Sequence, residues 1–500
     1  MRLSAACILA GAGFLASDSS LPDSAPTRPA LGLKAAQCHF EAAPDLPPHD
    51  CLEMVVPENP DDAASARVTF PLVRFQAERP FGSLPQPPVL HLGGGGPGAA
   101  MISGTYVDIA TLLNAYAPLS LNMGMDLIIV DPRGSGASRP SLNCPEIAEG
   151  FAAVMQLPDT AAQLRQLNTL SHRCYRRLRK QGIRLEDYRS LRIAQDIEAL
   201  RKALDIDRWH LYGISYGTRY ALTLIREVPD TVASAVLDSP VFSGVNYGER
   251  AATDFHAAFR QVFDRCDNVP ACNRQFPRLS DRFWKLIAHL NTQALKQEMH
   301  DPDTSDRLPF TLTGDTLLNI LFINLYAPGF ADAFPALIDA LESGDYRPLT
   351  ALAEHWYLFM TDVDFSDGSY NSHVCADEAA FVDGEVLARS YKDLPPPLRE
   401  IMQRTHETTL QFCRDVWPVK PSGDPYVLKA INTSTPVLIL QGALDPAVNA
   451  AYLKEQYPHY THAFWQVYPN AAHDVVGSEA EAARAAGCFF ATGQPCVTVK

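Results

Sequence analysis

The sequence predicts an α/β protein, a mostly parallel sheet flanked by helices and interrupted by a mainly helical insertion. Three observations predict it. Short continuous apolar runs recur along the chain, each ending in a Gly, Asp or Ser cluster, as strands of a parallel sheet buried on both faces do. Helical patterns alternate with them. From about Phe242 to about Pro425 helical patterns dominate and no comparable apolar runs occur.

Taken in order, the N-terminus has the pattern of an export signal. Arg2 is followed by a short apolar run from Ala5 to Ala16, shorter than the roughly 20 apolar residues a membrane span needs. Residues 1–17 are therefore expected to be a signal peptide and 18–50, rich in Pro, Ala, Ser and Asp, a leader arm. The first part of the α/β core is expected over 51–241, a helical cap over 242–425 and the C-terminal part of the core over 426–500. Arg67 to Phe75 alternates like a strand, with Pro71 placing it near an edge. The apolar runs beginning at Val89, Leu127, Trp209, Ala235, Val437 and Phe464 supply the remaining strands. Ile193, Ile197, Leu200 and Leu204 share one helix face, and Thr218 to Val228 reads as a second helix.

The chain of 500 residues carries 42 Lys+Arg against 57 Asp+Glu, a net charge of −15. That field argues against nucleic acid and anionic membrane surfaces as partners. No other segment reads as a membrane span. Setting Cys7 aside leaves ten of eleven cysteines, an even number that in an exported chain suggests disulfides. Sequence does not fix connectivity, but sequential neighbours suggest Cys38–Cys51, Cys144–Cys174, Cys266–Cys272, Cys375–Cys413 and Cys488–Cys496. With no C-x-x-C pair, a zinc site is not expected.

Gly213-Ile214-Ser215-Tyr216-Gly217 is the chain's one Gly-x-Ser-x-Gly. It follows a predicted strand and precedes a predicted helix, the context of a nucleophile elbow. Glycines there avoid the collisions of a tight strand-to-helix turn. A serine nucleophile needs a base and an acid that orients it. His473 lies just after the last strand, and Asp445 just past the end of the strand before it. The order Ser…Asp…His is that of an α/β hydrolase. Asp238, at the end of the strand after the elbow, is a competing acid; Asp474 reads as a solvated neighbour of His473. His91-Leu92 leads into Gly93-Gly94-Gly95-Gly96-Pro97-Gly98, a loop able to present N–H groups to an oxyanion. The expected donors are Gly96 and Tyr216. The loop lacks the Gly-Lys-Ser/Thr ending of a nucleotide site.

These motifs resemble the proline iminopeptidase and tripeptidyl aminopeptidase family of serine hydrolases, over about residues 85–500. Gly95–Gly98 looks like that family's oxyanion loop. Asp131-Pro132-Arg133-Gly134-Ser135-Gly136-Ala137-Ser138 and Asp196-Ile197-Glu198-Ala199-Leu200-Arg201 are similar to two of its motifs. Two departures stand out: Pro446-Ala447-Val448-Asn449 follows Asp445 where relatives often have Thr-Pro, and Asp474 follows His473 where they have Gly. The resemblance implies an α/β-hydrolase fold, secretion, a Ser-His-Asp mechanism without cofactor or metal, and release of residues or short peptides from free N-termini. Members of the family are also esterases, so peptide and small ester both stand as substrates. A hydrolase fold kept only for binding is a third reading. Glu378 or Asp377, in a stretch resembling the acidic residues that follow a cysteine in relatives, is the candidate partner for a substrate ammonium; an ordinary exposed acidic pair is the alternative. Phe255, Phe259, Phe263, Trp284, Trp356 and Tyr357 could line a pocket, though their helical spacing is also that of core packing.

Overall fold

The computed structural model describes residues 30–40, 46–62, 64–79, 85–103, 109–327, 329–423 and 425–496. The expected signal peptide lies outside them. Eleven strands occur among the described residues: β1 (Gly32–Ala35), β2 (His49–Pro57), β3 (Arg67–Phe75), β4 (Val89–Leu92), β5 (Leu127–Val130), β6 (Trp209–Ile214), β7 (Val232–Asp238), β8 (Leu295–His300), β9 (Arg307–Leu312), β10 (Val437–Gly442) and β11 (Ala463–Tyr468).

Nine form one sheet in the order β1-β2-β3-β5-β4-β6-β7-β10-β11. The first strands pair antiparallel, and from β5 onward every pairing is parallel. The apolar runs are continuous because both faces are covered. Val89, Leu127, Ile129, Tyr212 and Leu438 pack into one core, while Leu90, Ile128, Leu211 and Ile439 pack into the other. At roughly 1.5–3 kcal/mol for each fully buried large apolar side chain, these strands anchor the molecule.

The chain leaves the sheet after Asp238 and returns at Val437, yet Val437 pairs directly with Ala235. The intervening residues can therefore be long without disturbing the sheet. They are mostly helical, but not wholly. β8 and β9 form a separate antiparallel hairpin, which the sequence reading missed. β8, Leu-Lys-Gln-Glu-Met-His, buries Met299 alone, so it has none of the apolar continuity that marked the other strands. The expected leader arm also contributes structure: β1 and the start of β2 lie within 18–50, and the Cys38–Cys51 bridge ties them together.

All five disulfides join the sequential neighbours anticipated above, with separations of 13, 30, 6, 38 and 8 residues. Among the described residues, two places gather His, Cys and acidic side chains, Cys38/His49/Cys51 and Cys144/Glu146/Cys174. In each, the two sulfurs are bonded to one another and offer no thiolate to a metal. No helix among the described residues is long and apolar enough to cross a membrane.

Candidate active site

β6 ends at Ile214 and the helix Tyr216–Glu227 starts two residues later, leaving Ser215 alone on the turn. Its backbone sits at φ 52°, ψ −125°, a conformation costing about 1–3 kcal/mol for a residue with a side chain. Hydrogen bonds hold the strain from both sides. Ser215 N–H donates to Asp238 O at 2.9 Å, and Ser215 O accepts from Thr218 N–H at 3.0 Å and Thr218 Oγ1 at 2.6 Å. A Cβ at Gly217 would lie 2.0 Å from Leu92 O, and one at Gly213 2.9 Å from Gly217 O. Both motif glycines are there because backbone occupies the space.

His473 and Asp445 meet at the same edge of the sheet. Nδ1 of His473 is 3.0 Å from each carboxylate oxygen of Asp445. Asp445 is itself fixed: Oδ1 accepts from Ala447 N–H at 2.8 Å and Val448 N–H at 3.0 Å, and Oδ2 from Gln441 Nε2 at 3.2 Å. The Pro446-Ala447-Val448 turn therefore clamps Asp445 through its main chain. Burial disfavours a charged His473, but the charge and hydrogen bond of Asp445 outweigh it and hold the imidazole above its ordinary value. The hydrogen bonds of the His473 ring among the described residues are those to Asp445.

Asp238, the competing acid, is occupied elsewhere. Its carboxylate accepts from Val475 N–H at 3.0 Å, Val476 N–H at 2.8 Å and Tyr212 Oη at 2.9 Å. It anchors the turn that follows His473. Burial, reinforced by the charge of Asp474, raises its carboxyl to about 7. Asp474 is not a solvated neighbour. It lies at φ 61°, caps the short helix Val475–Ser478 through Gly477 N–H, and donates its own N–H to Ser239 Oγ at 3.2 Å.

The glycine-rich loop packs against Ser215. A Cβ at Gly94 would lie 3.1 Å from Ser215 Cβ, whereas one at Gly96 would face the Tyr370 ring at 3.7 Å. Gly95 and Gly96 have φ of 84° and 85°, the left-handed region that favours glycine. The insertion grips the loop: Ser366 N–H donates to Gly98 O at 2.9 Å and Ser369 Oγ to Pro97 O at 2.6 Å. Asp131 secures the following turn, accepting from Met101 N–H, Ile102 N–H and Ser103 Oγ. Tyr216 opens the helix after Ser215, so its N–H is among those with no acceptor inside the helix. The two remaining family-like motifs meet as well. Arg133 and Asp196 form a buried, two-pronged ion pair at 2.6 Å per contact.

Glu378 and Asp377 are not an exposed acidic pair: both are buried, in the π-helical turn Val374–Glu378. Asp377 is engaged, with Oδ2 accepting from Ser190 N–H and Oδ1 from Ser422 Oγ, each at 3.2 Å. Glu378 faces Arg219 Nη1 at 3.6 Å, one helical turn beyond Ser215. Burial pushes the Glu378 carboxyl up, with Arg219 pulling the other way. The six candidate aromatics mostly pack the insertion. Phe259, Phe263, Trp284, Trp356 and Tyr357 are buried, and Phe255 stacks on Phe322 at 4.5 Å. The aromatics that reach the site are Tyr326, whose ring meets that of His473, and Tyr370, against Gly96. Sequence offered no signal for them, since both come from the insertion. Arg219 had one, its spacing of four from Ser215 on a helix.

The family model for the α/β hydrolase fold matches residues 87–311. With the sheet order and the strand-turn-helix at Ser215, this defines the fold: an α/β-hydrolase fold. Serine protease Hip1 of Mycobacterium tuberculosis strain H37Rv is 25% identical over 430 residues, covering 79% of this chain and 76% of that protein. Among solved structures, an α/β hydrolase fold protein from Chitinophaga pinensis aligns with 12% identity and a TM-score of 0.35, covering 91% of this chain and 100% of that one. An esterase from Exiguobacterium antarcticum aligns with 13% identity and a TM-score of 0.35, covering 83% and 92%.

Proposed function

We propose that the protein is a secreted serine hydrolase, an aminopeptidase that releases residues or short peptides from free N-termini through an acyl-enzyme. The observation that carries this reading is the His473–Asp445 contact on the same sheet edge as the strained Ser215. His473 takes the Ser215 proton, and Oγ attacks the carbonyl. N–H groups of Tyr216 and the 94–96 stretch, Gly96 among them, receive the oxyanion. His473 then protonates the leaving amine, and water releases the acyl group. Asp445 holds the imidazole tautomer throughout. The chemistry needs neither cofactor nor metal. The five disulfides and the apolar N-terminal run support export, and the insertion between β7 and β10 serves as the cap that shapes the substrate site. Likeness to a protein named a serine protease supports peptide over ester. Within the cap, Glu378 is the residue we assign to the substrate ammonium.

One observation favours a second reading, a carboxylesterase with the same triad. Arg219 already balances the charge of Glu378, which suits an uncharged substrate. A panel of fluorogenic peptides, each with a free or an acetylated N-terminus, tested beside a short-chain nitrophenyl ester, separates the two. Ser215→Ala serves as the blank. Cleavage confined to free-amine peptides establishes the aminopeptidase; cleavage of the ester alone overturns it and leaves the triad standing.

A further inference from the structure

A cavity of about 460 Å³ lies beside the glycine-rich loop, with Gly95 and Tyr370 in its wall. It is enclosed by the helices Pro145–Met155, Thr160–Lys180, Leu349–Met360, Asp367–His373 and Pro396–Asp415. Much of the wall is apolar, with Ile147, Leu164, Leu167 and Phe412 prominent. The surface around it is apolar too. Phe359 and Val363 are 53% exposed, Tyr370 43% and Leu410 39%, a concentration of large apolar side chains that marks binding surfaces more often than bare solvent contact.

Two carboxylates interrupt this apolar wall, Asp362 and Asp367, and no Lys or Arg lines it. Asp362 accepts Asp364 N–H at 2.9 Å. Asp367 opens its helix and takes its own main-chain N–H; among the described residues no cation pairs with it. Burial, with the charges of Asp362 and Glu146 added, raises its carboxyl to about 7. Glu378 has Arg219; among the described residues these two acids have no such partner.

We propose that this cavity is a substrate subsite for an organic cation carried on a hydrocarbon chain, with the methylenes against Ile147, Leu164, Leu167 and Phe412 and the charge at Asp367 and Asp362. The inference rests on the hydrolase reading above and sharpens it, since a wall shared with the glycine-rich loop puts the bound group next to the carbonyl under attack. The cation has two possible sources, a basic side chain of the substrate, or its free N-terminus, which would then sit here in place of Glu378.

Titration of the Ser215→Ala protein with hexylammonium and with 1-hexanol, followed by calorimetry, tests the cavity without requiring turnover. Hexylammonium is expected to bind about tenfold more tightly, the scale of a charged hydrogen bond. Asp367→Asn is expected to bring the two together. Ala148→Lys, which places an ammonium on the cavity wall, is expected to abolish the preference as well. Equal binding of the two probes, or a preference that survives both substitutions, overturns the proposal. With Ser215 intact, N-acetyl-lysyl, N-acetyl-norleucyl and free-amino norleucyl anilides identify the source. Preference for the first assigns the site to a basic side chain, and for the third to the N-terminus. Cleavage without preference for either cation overturns the subsite. Cleavage of none of them counts against the peptidase reading, and the titration then decides the cavity by itself.

Discussion

The ring of Tyr326 stands edge-on to the ring of His473, their centroids 5.1 Å apart and their planes at 71°. One residue comes from the insertion and the other from the last loop of the sheet, so the insertion contributes directly to holding the base. Such aromatic contacts are worth about 0.5–1.5 kcal/mol. Tyr326→Ala is therefore expected to lower kcat by up to about tenfold, while Tyr326→Phe, which keeps the contact, stays within about twofold of the parent. Equal losses in the two variants would assign the effect to the hydroxyl instead.

The proposed triad predicts two different losses. Ser215→Ala removes the nucleophile and is expected to reduce kcat by about 10⁶. Asp445→Asn leaves the nucleophile but permits the wrong imidazole tautomer, with an expected loss of about 10⁴. A fluorophosphonate probe should label the parent at Ser215, label Asp445→Asn slowly and leave Ser215→Ala unlabelled. Normal activity in Asp445→Asn would return the role of acid to Asp238.

The pH profile follows from the raised imidazole. The base works only when neutral, so kcat/KM rises with pH through the value His473 has in the folded enzyme. Asp445 holds that value above the ordinary one, and the acid limb is expected to centre above about pH 6.5. A limb centred near pH 5.5, or a flat profile from pH 5 to 9, contradicts the assignment.

Arg133 and Asp196 are both buried and joined by two contacts of 2.6 Å. Removing one partner leaves the other charge without compensation, which typically costs about 3–5 kcal/mol. Urea denaturation of Arg133→Met should show a loss of that order. The double variant Arg133→Met/Asp196→Leu should recover much of it. Additive losses would show that the other contacts of Arg133, to Glu58 O and Asp187 O, carry the stability instead.

Much of the sheet was legible because burial on both faces writes itself as an apolar run. The proposed triad residues Ser215, Asp445 and His473 stand out in the sequence for a related reason: each sits at the end of such a run, in the chain order of an α/β hydrolase. The hairpin β8–β9 was not legible, because β8 is polar and buries Met299 alone, and β9 is interrupted by Pro309. Asp238 shows the limit more sharply. Its place at a strand end is visible in the sequence, but the N–H groups of Val475 and Val476 that occupy it arrive from the far end of the chain. The contact of Tyr326 with His473, the contact of Tyr370 with the glycine loop, and the pairing of Arg219 with Glu378 likewise depend on how the insertion folds back, which no local pattern records.

The pairing of the cysteines has a consequence for how the protein is made. Each of the five bridges joins a cysteine to the next one along the chain, and the widest spans 38 residues. As the polypeptide emerges, each of these cysteines meets its native partner before any cysteine of a later pair has appeared. An oxidant that simply joins thiols in their order of arrival, counting from Cys38, makes the native set with no reshuffling. In an oxidising compartment, maturation of this set places little demand on an isomerase.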